Sequence, residues 1–173
     1  MRPIPRFFLV LGLVLSITGC GKNNNAPRIG DTVSDFRLDT LTHERFYLNR
    51  HKDNVVVLLF WATWCRPCKT EMAELQNLTQ QPGWKNVTAA AVCTDPENIT
   101  DARNIVKRLE LTYPILMDYE SKLFDKFGLS AHPTTLIVDR HQRLSFVRVG
   151  YDSIIMAQIN SKVLSLETEH NRE

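Results

Sequence analysis

Cys65 and Cys68 stand three apart in the run Trp61-Ala62-Thr63-Trp64-Cys65-Arg66-Pro67-Cys68-Lys69, after a continuous apolar stretch and before residues with helical spacing. Such a pair can cycle between dithiol and disulfide: one thiolate attacks a client disulfide and its neighbour displaces the mixed disulfide. The position favours that chemistry. The first turn of a helix carries amide N–H groups without partners and partial positive charge, so a thiolate at Cys65 is stabilised and its pKa should fall below that of a free cysteine. Cys68, one turn further on, should be the more buried, resolving cysteine. Arg66 adds a positive charge between them and Pro67 stiffens the turn; neither decides the direction of electron flow. A Cys-x-x-Cys can also be half of a zinc site, but two more ligands are then needed. Here no second pair exists, and Cys93, His132 and His141 are scattered singles.

The elements that must hold this pair read as an α/β domain. Residues 55–61 form an apolar run suited to a strand buried on both faces, and residues 35–38 and 45–48 suit a leading hairpin. Met72, Leu75 and Leu78 then repeat at helical spacing until Pro82-Gly83 closes the segment. Residues 87–93 form the next strand. Asp95-Pro96 predicts a helix start, with Asp capping free amides and Pro tolerated in the first turn; Ile99, Ala102, Ile105 and Leu109 share one face of that helix. A strand over 113–117, a short helix over 121–127 stopped by Gly128, a β-branched strand over 134–138 and a strand over 144–149 follow, the last two close enough to pair as a hairpin. A final helix over 153–166 should cover the sheet with Ile154, Ile155, Ile159 and Val163, and the chain from Glu167 on is too polar to pack. Cys93, ending an apolar strand, reads as a small buried hydrophobe rather than a reactive thiol.

The chain has 173 residues and 43% apolar content, enough for one ordinary domain plus a targeting segment. Arg2 and Arg6 precede an apolar run over residues 7–15 and then Ser16-Ile17-Thr18-Gly19-Cys20, the layout of a secretory signal over residues 1–19. The run is short for a membrane span and the chain turns polar at once after it. Ile17-Thr18-Gly19-Cys20 resembles a bacterial lipobox, which makes Cys20 a lipid attachment point and the membrane a partner through that anchor. Residues 20–28 then form the lipidated cysteine and a flexible tether, 29–167 the domain and 168–173 a polar tail. Losing Arg2 and Arg6 takes the 21 basic residues to 19, against 19 acidic ones. The mature body is thus near neutral, with no basic stripe to neutralise phosphates, which sets nucleic acid aside as a partner. Export places the remaining cysteines where disulfides persist, and Cys65, Cys68 and Cys93 amount to one working pair and one cysteine over.

Phe60-Trp61-Ala62-Thr63-Trp64-Cys65-Arg66-Pro67-Cys68 resembles the active-site segment of the extracytoplasmic TlpA-like and ResA-like thiol-disulfide reductases of the thioredoxin superfamily. His132-Pro133-Thr134-Thr135 is similar to that group's cis-proline loop, and the likeness covers residues 30–165. The resemblance implies a thioredoxin-like fold: a central mixed β-sheet flanked by helices, with an N-terminal β-hairpin and a central helix-strand insertion between Asp95 and Met117. It implies Cys65 and Cys68 as the catalytic couple, with no cofactor beyond their own disulfide and no metal. A cis bond before Pro133 would expose backbone opposite the cysteines, where an extended client segment could pair; Trp64, His132 and Pro133 are the implied client-binding residues.

Glu71, three residues after Cys68, matches a glutamate thought to tune the cysteines of the ResA-like group and to assist the resolving step. A carboxylate beside a thiol can raise its pKa and accept its proton; the bland alternative is a solvated helix residue. Thioredoxins proper use a buried aspartate on the preceding strand, where this chain has Leu59. The group often has a proline two residues after the glutamate, whereas Met72-Ala73 follow here, which leaves the depth of Glu71 open. The implied partners are client proteins with disulfides, cytochrome c maturation being the pathway most often implied, and a membrane thiol transporter as electron donor. Two other functions compete. A peroxidase shares the fold, but its cysteine sits behind a proline and a threonine, and Thr63-Trp64-Cys65 lacks that proline. An anchored copper chaperone would hold Cu(I) on Cys65, Cys68 and a histidine, though such relatives space the cysteines one residue wider.

Overall fold

The computed structural model describes residues 26–170. The expected signal segment over 1–19, Cys20 with its lipid, the start of the tether and the end of the polar tail lie outside the described residues.

Strand β3 (Val55–Trp61) is buried at every position, as a seven-residue apolar run requires when neither face of a strand meets water. It pairs in parallel with β4 (Val87–Cys93) and antiparallel with β6 (Thr134–Val138). Beyond β4 lies parallel β5 (Ile115–Met117), then antiparallel β1 (Arg37–Thr40) and β2 (Arg45–Tyr47); beyond β6 lies antiparallel β7 (Leu144–Val149). The mixed sheet therefore runs β2-β1-β5-β4-β3-β6-β7. Alternate residues of β3 face opposite ways. Val55, Val57, Leu59 and Trp61 meet helices α1 (Arg66–Thr79), α2 (Ile99–Arg108) and α4 (Ser153–His170), while Val56, Leu58 and Phe60 meet the short helix α3 (Lys122–Lys126) and Phe127. This is the thioredoxin-like architecture, with the β1–β2 hairpin leading and α2–β5 inserted between β4 and β6. Among the described residues no helix is long and apolar enough to cross a membrane.

Four local expectations shift. The leading hairpin sits about two residues later on its first strand, because Asp35 leaves the ladder to accept the Asn49 amide and Thr40 forms the turn with Glu44. The strand expected over 113–117 begins only at Ile115, since Tyr113 is turned aside to donate its hydroxyl to the Met72 carbonyl. The helix expected from residue 121 starts at Lys122, behind a 3₁₀ turn whose Glu120 and Ser121 take positive φ. The last helix continues to His170 rather than stopping at 166, with Glu167 accepting from the Asn86 backbone and side-chain amides at 3.4 Å. Its inward stripe is Met156, Ile159, Val163 and Leu166, and Ile154 is exposed instead of covering the sheet. The 3.6-residue period that aligns the first four puts residue 154 on the far side.

Candidate active site

Strand β3 ends at Trp61, the chain turns through Ala62 to Trp64, and Cys65 is the N-cap of α1. The Cys65 amide donates to the Ala62 carbonyl at 3.0 Å, closing the turn. Cys65 Sγ accepts the Cys68 amide at 3.3 Å, so the sulfur fills the capping role that a hydroxyl or carboxylate usually fills. An anionic sulfur there gains from that N–H and from the positive helix end. Cys65 and Cys68 form a disulfide; Cys65 is 3% exposed and Cys68 0%. Pro67 occupies the first turn, where its missing N–H removes no helical bond.

Glu71 follows one turn after Cys68 and is 1% exposed. Its depth needs no proline kink, since α1 lies against the sheet along this face and Met72 and Leu75 are buried beside it. Thr135, opposite Leu59 on β6, donates its hydroxyl to Glu71 Oε1 at 2.6 Å. Oε2 is buried and has no hydrogen-bond partner among the described residues. Burial pushes the carboxyl up to about 7, the Thr135 bond pulling it down and the Glu74 charge pushing it further up. One oxygen is thus anchored and the other is free to take a proton. Glu74 in turn accepts a short bond from the Tyr151 hydroxyl.

His132 and Pro133 are joined by a cis peptide bond. Pro133 is buried, and its carbonyl accepts the Gly150 amide at 2.8 Å, which ties the loop to the end of β7. His132 stacks on Phe124, centroids 4.7 Å apart, and its Nε2 lies 2.8 Å from Thr94 Oγ1. Burial lowers the His132 pKa, partly offset by the Asp95 charge. Trp64 stands with its ring edge-on to His132 at 5.6 Å and is 71% exposed. The Trp64 indole is thus open to solvent beside the cysteine pair, while Trp61 is fully buried.

Cys93 is buried as expected, but the contacts of Thr94 and Asp95 with the active-site loops go beyond local pattern. Asp95 was expected to cap a helix, yet its side chain makes no cap bond to the 3₁₀ turn over Pro96–Asn98. It turns back beneath the active-site loop and accepts from Thr63 N at 3.0 Å and from Thr63 Oγ1 at 2.5 Å. No local signal marks this, because Asp95 and Thr63 are brought together only by the parallel pairing of β3 and β4. Cys93 is buried, donates to Asp95 Oδ1 at 3.3 Å, and is pushed up to about 12 chiefly by burial. Among the described residues no group of three or more His, Cys, Asp or Glu side chains gathers as metal ligands would.

Comparison with known proteins agrees with this geometry. The family model AhpC/TSA matches residues 29–147. The chain is 34% identical over 122 residues to the thioredoxin-like protein YneN of Bacillus subtilis, covering 70% of this chain and 71% of that one. It is 32% identical over 136 residues to the thiol-disulfide oxidoreductase ResA of Oceanobacillus iheyensis, covering 75% and 70%. A crystal structure of a thiol:disulfide interchange protein of the thioredoxin family from Chlorobium tepidum superposes with a TM-score of 0.70 over 82% of this chain and 99% of that one, at 22% identity. At that identity the likeness is one of fold.

Proposed function

The chain belongs to the AhpC/TSA family and, within it, to the ResA-like thiol-disulfide oxidoreductases; on that premise we propose that it works as a reductase of specific client disulfides outside the cytoplasm, held to a membrane by a lipid on Cys20. The observation that carries the chemistry is the Cys65 sulfur seated as N-cap of α1, above a buried Cys68 and a half-anchored Glu71.

The cycle begins from the dithiol. The Cys65 thiolate attacks one sulfur of a client disulfide; the Cys65–client bond forms, the client S–S bond breaks, and the leaving thiolate is protonated by solvent. The free oxygen of Glu71 then takes the Cys68 proton, and the Cys68 thiolate attacks Cys65 Sγ. The Cys65–Cys68 disulfide forms, the Cys65–client bond breaks, and the second client sulfur leaves as a thiolate that solvent protonates. Two electrons have passed to the client. A membrane thiol transporter would supply two further electrons and restore the dithiol. The exposed Trp64, next to Cys65 in the chain, and His132 edge-on to it offer a surface on which an extended client segment would lie. Apocytochromes, whose haem-binding cysteines must be reduced, are the proposed clients.

Peroxide chemistry is less well supported by this site, since the Thr63 hydroxyl is committed to Asp95. The deciding experiment replaces Cys68 with Ser in the full chain, expresses it in its own host and identifies what stays attached to Cys65. Capture of apocytochromes supports the proposal. A broad set of exported proteins refutes client specificity, and no captured protein refutes the reductase cycle.

A further inference from the structure

Two loops carry the site, and one segment holds both. Asp95 is buried at the C-terminal end of β4, and four donors converge on its carboxylate. Oδ1 takes Thr63 N at 3.0 Å and Cys93 Sγ at 3.3 Å; Oδ2 takes Thr63 N at 3.0 Å, Thr63 Oγ1 at 2.5 Å and Asn98 Nδ2 at 3.3 Å. Thr63 lies two residues before Cys65. The residue before Asp95 reaches the opposite loop: Thr94 Oγ1 is 2.8 Å from His132 Nε2 and donates to the Trp61 carbonyl at 3.3 Å, a carbonyl that also takes Thr94 N at 3.0 Å and so keeps a donor without the hydroxyl. The segment is itself fixed from behind, as the Cys93 carbonyl accepts the Asp118 amide and the Thr94 carbonyl accepts the Ser121 hydroxyl.

We propose that Asp95 and Thr94 are positioning residues, Asp95 holding the Cys65 loop through Thr63 and Thr94 holding the client-binding loop through His132, so that the attacking sulfur and the client edge keep a set spacing. This deepens the reductase reading and rests on it. A carboxylate suits the Asp95 position because both oxygens only accept. An amide would have to turn an N–H₂ toward one of these donors. The two arms make different predictions. Loosening Thr63 displaces the nucleophile and lowers turnover, since small errors in attack geometry are amplified in rate. Loosening His132 weakens client binding and raises KM.

The test uses the full chain, with dithiothreitol as donor and insulin as an extended disulfide probe, plus amide hydrogen exchange over residues 62–66. Thr63→Val should lower kcat about tenfold with KM little changed and should speed exchange at the loop; Thr63→Ser, which keeps the hydroxyl, should restore both. Asp95→Asn should follow Thr63→Val, and Thr94→Val should raise KM several-fold with kcat little changed. The proposal is overturned if Thr63→Val behaves as the parent protein, or if Thr63→Ser is as impaired as Thr63→Val, which would assign the effect to packing. If Asp95→Asn does not fold, the Thr63 pair still decides. A parent protein that reduces neither insulin nor oxidised glutathione would remove the reductase reading, while faster exchange in Thr63→Val would leave the holding role of Asp95 standing.

Discussion

Replacing Glu71 with Gln should change how stability depends on pH, and the size of the change follows from where the carboxyl sits. In the unfolded chain it titrates near the ordinary 4.5; in the folded protein burial holds it up at about 7. Between those values the folded state keeps a proton that the unfolded state has lost, so stability from this group is fully present below pH 4.5 and drains away as pH rises through 7. The full difference amounts to about 3 kcal/mol, with no discount for solvent because Glu71 is 1% exposed. Gln keeps an oxygen for the Thr135 hydroxyl but leaves a buried amide N–H₂ without an evident partner, a cost of about 1–3 kcal/mol at any pH. The variant should therefore be the less stable protein at pH 5 and should close the gap or overtake by pH 8. The assay is urea unfolding of the oxidised form at several pH values, in which the cysteine pair does not titrate. His51 and His132, whose pKa values are lowered by burial, contribute with the opposite slope in both proteins and cancel in the comparison. In single-turnover reduction, the resolving step of the parent should rise with pH around 7, and the variant should lack that limb. Parallel stability curves for the two proteins would refute the account of Glu71 as a buried, proton-holding carboxyl.

Trp64→Ala should leave stability within about 0.5 kcal/mol, because the indole is largely exposed, yet raise KM for insulin several-fold; an unchanged KM would remove Trp64 from the client surface. Asp118, fully buried, accepts the Leu123 and Phe124 amides at 2.9–3.1 Å. Asp118→Ala should lower stability by about 1–3 kcal/mol by leaving those amides unpaired, and a urea midpoint equal to the parent's would contradict this. Cys93, buried and pushed up to about 12, should stay unlabelled by iodoacetamide at pH 8 in the native reduced protein while Cys65 reacts; peptide mapping that finds label on Cys93 without denaturant would show that the thiol is open to solvent.

Much of this was legible in local pattern. The seven apolar residues of β3 could be satisfied only between two neighbours, and Cys-x-x-Cys at a strand-to-helix junction places a sulfur at a helix start whatever the rest of the chain does. The order of strands and helices follows from such local signals, because hydrophobic period and breaker residues act over a few positions. Boundaries moved where side chains met partners distant in sequence: Asp35, Tyr113 and Glu167 bond to Asn49, Met72 and Asn86, 14, 41 and 81 positions away.

The functional surroundings of the pair belong to the tertiary structure. Glu71 in sequence also admits the bland alternative of a solvated helix residue; it is a buried carboxyl because α1 lies on the sheet and Thr135, sixty-four positions away, meets one of its oxygens. Asp95 looks like a helix cap until the parallel pairing of β3 with β4 sets it under Thr63. Sequence determined which sulfurs pair as a disulfide at a helix start, since a helix end and a three-residue spacing are local properties. Folding decided what surrounds them, since depth from water and the choice among hydrogen-bond partners depend on segments that only the sheet brings together.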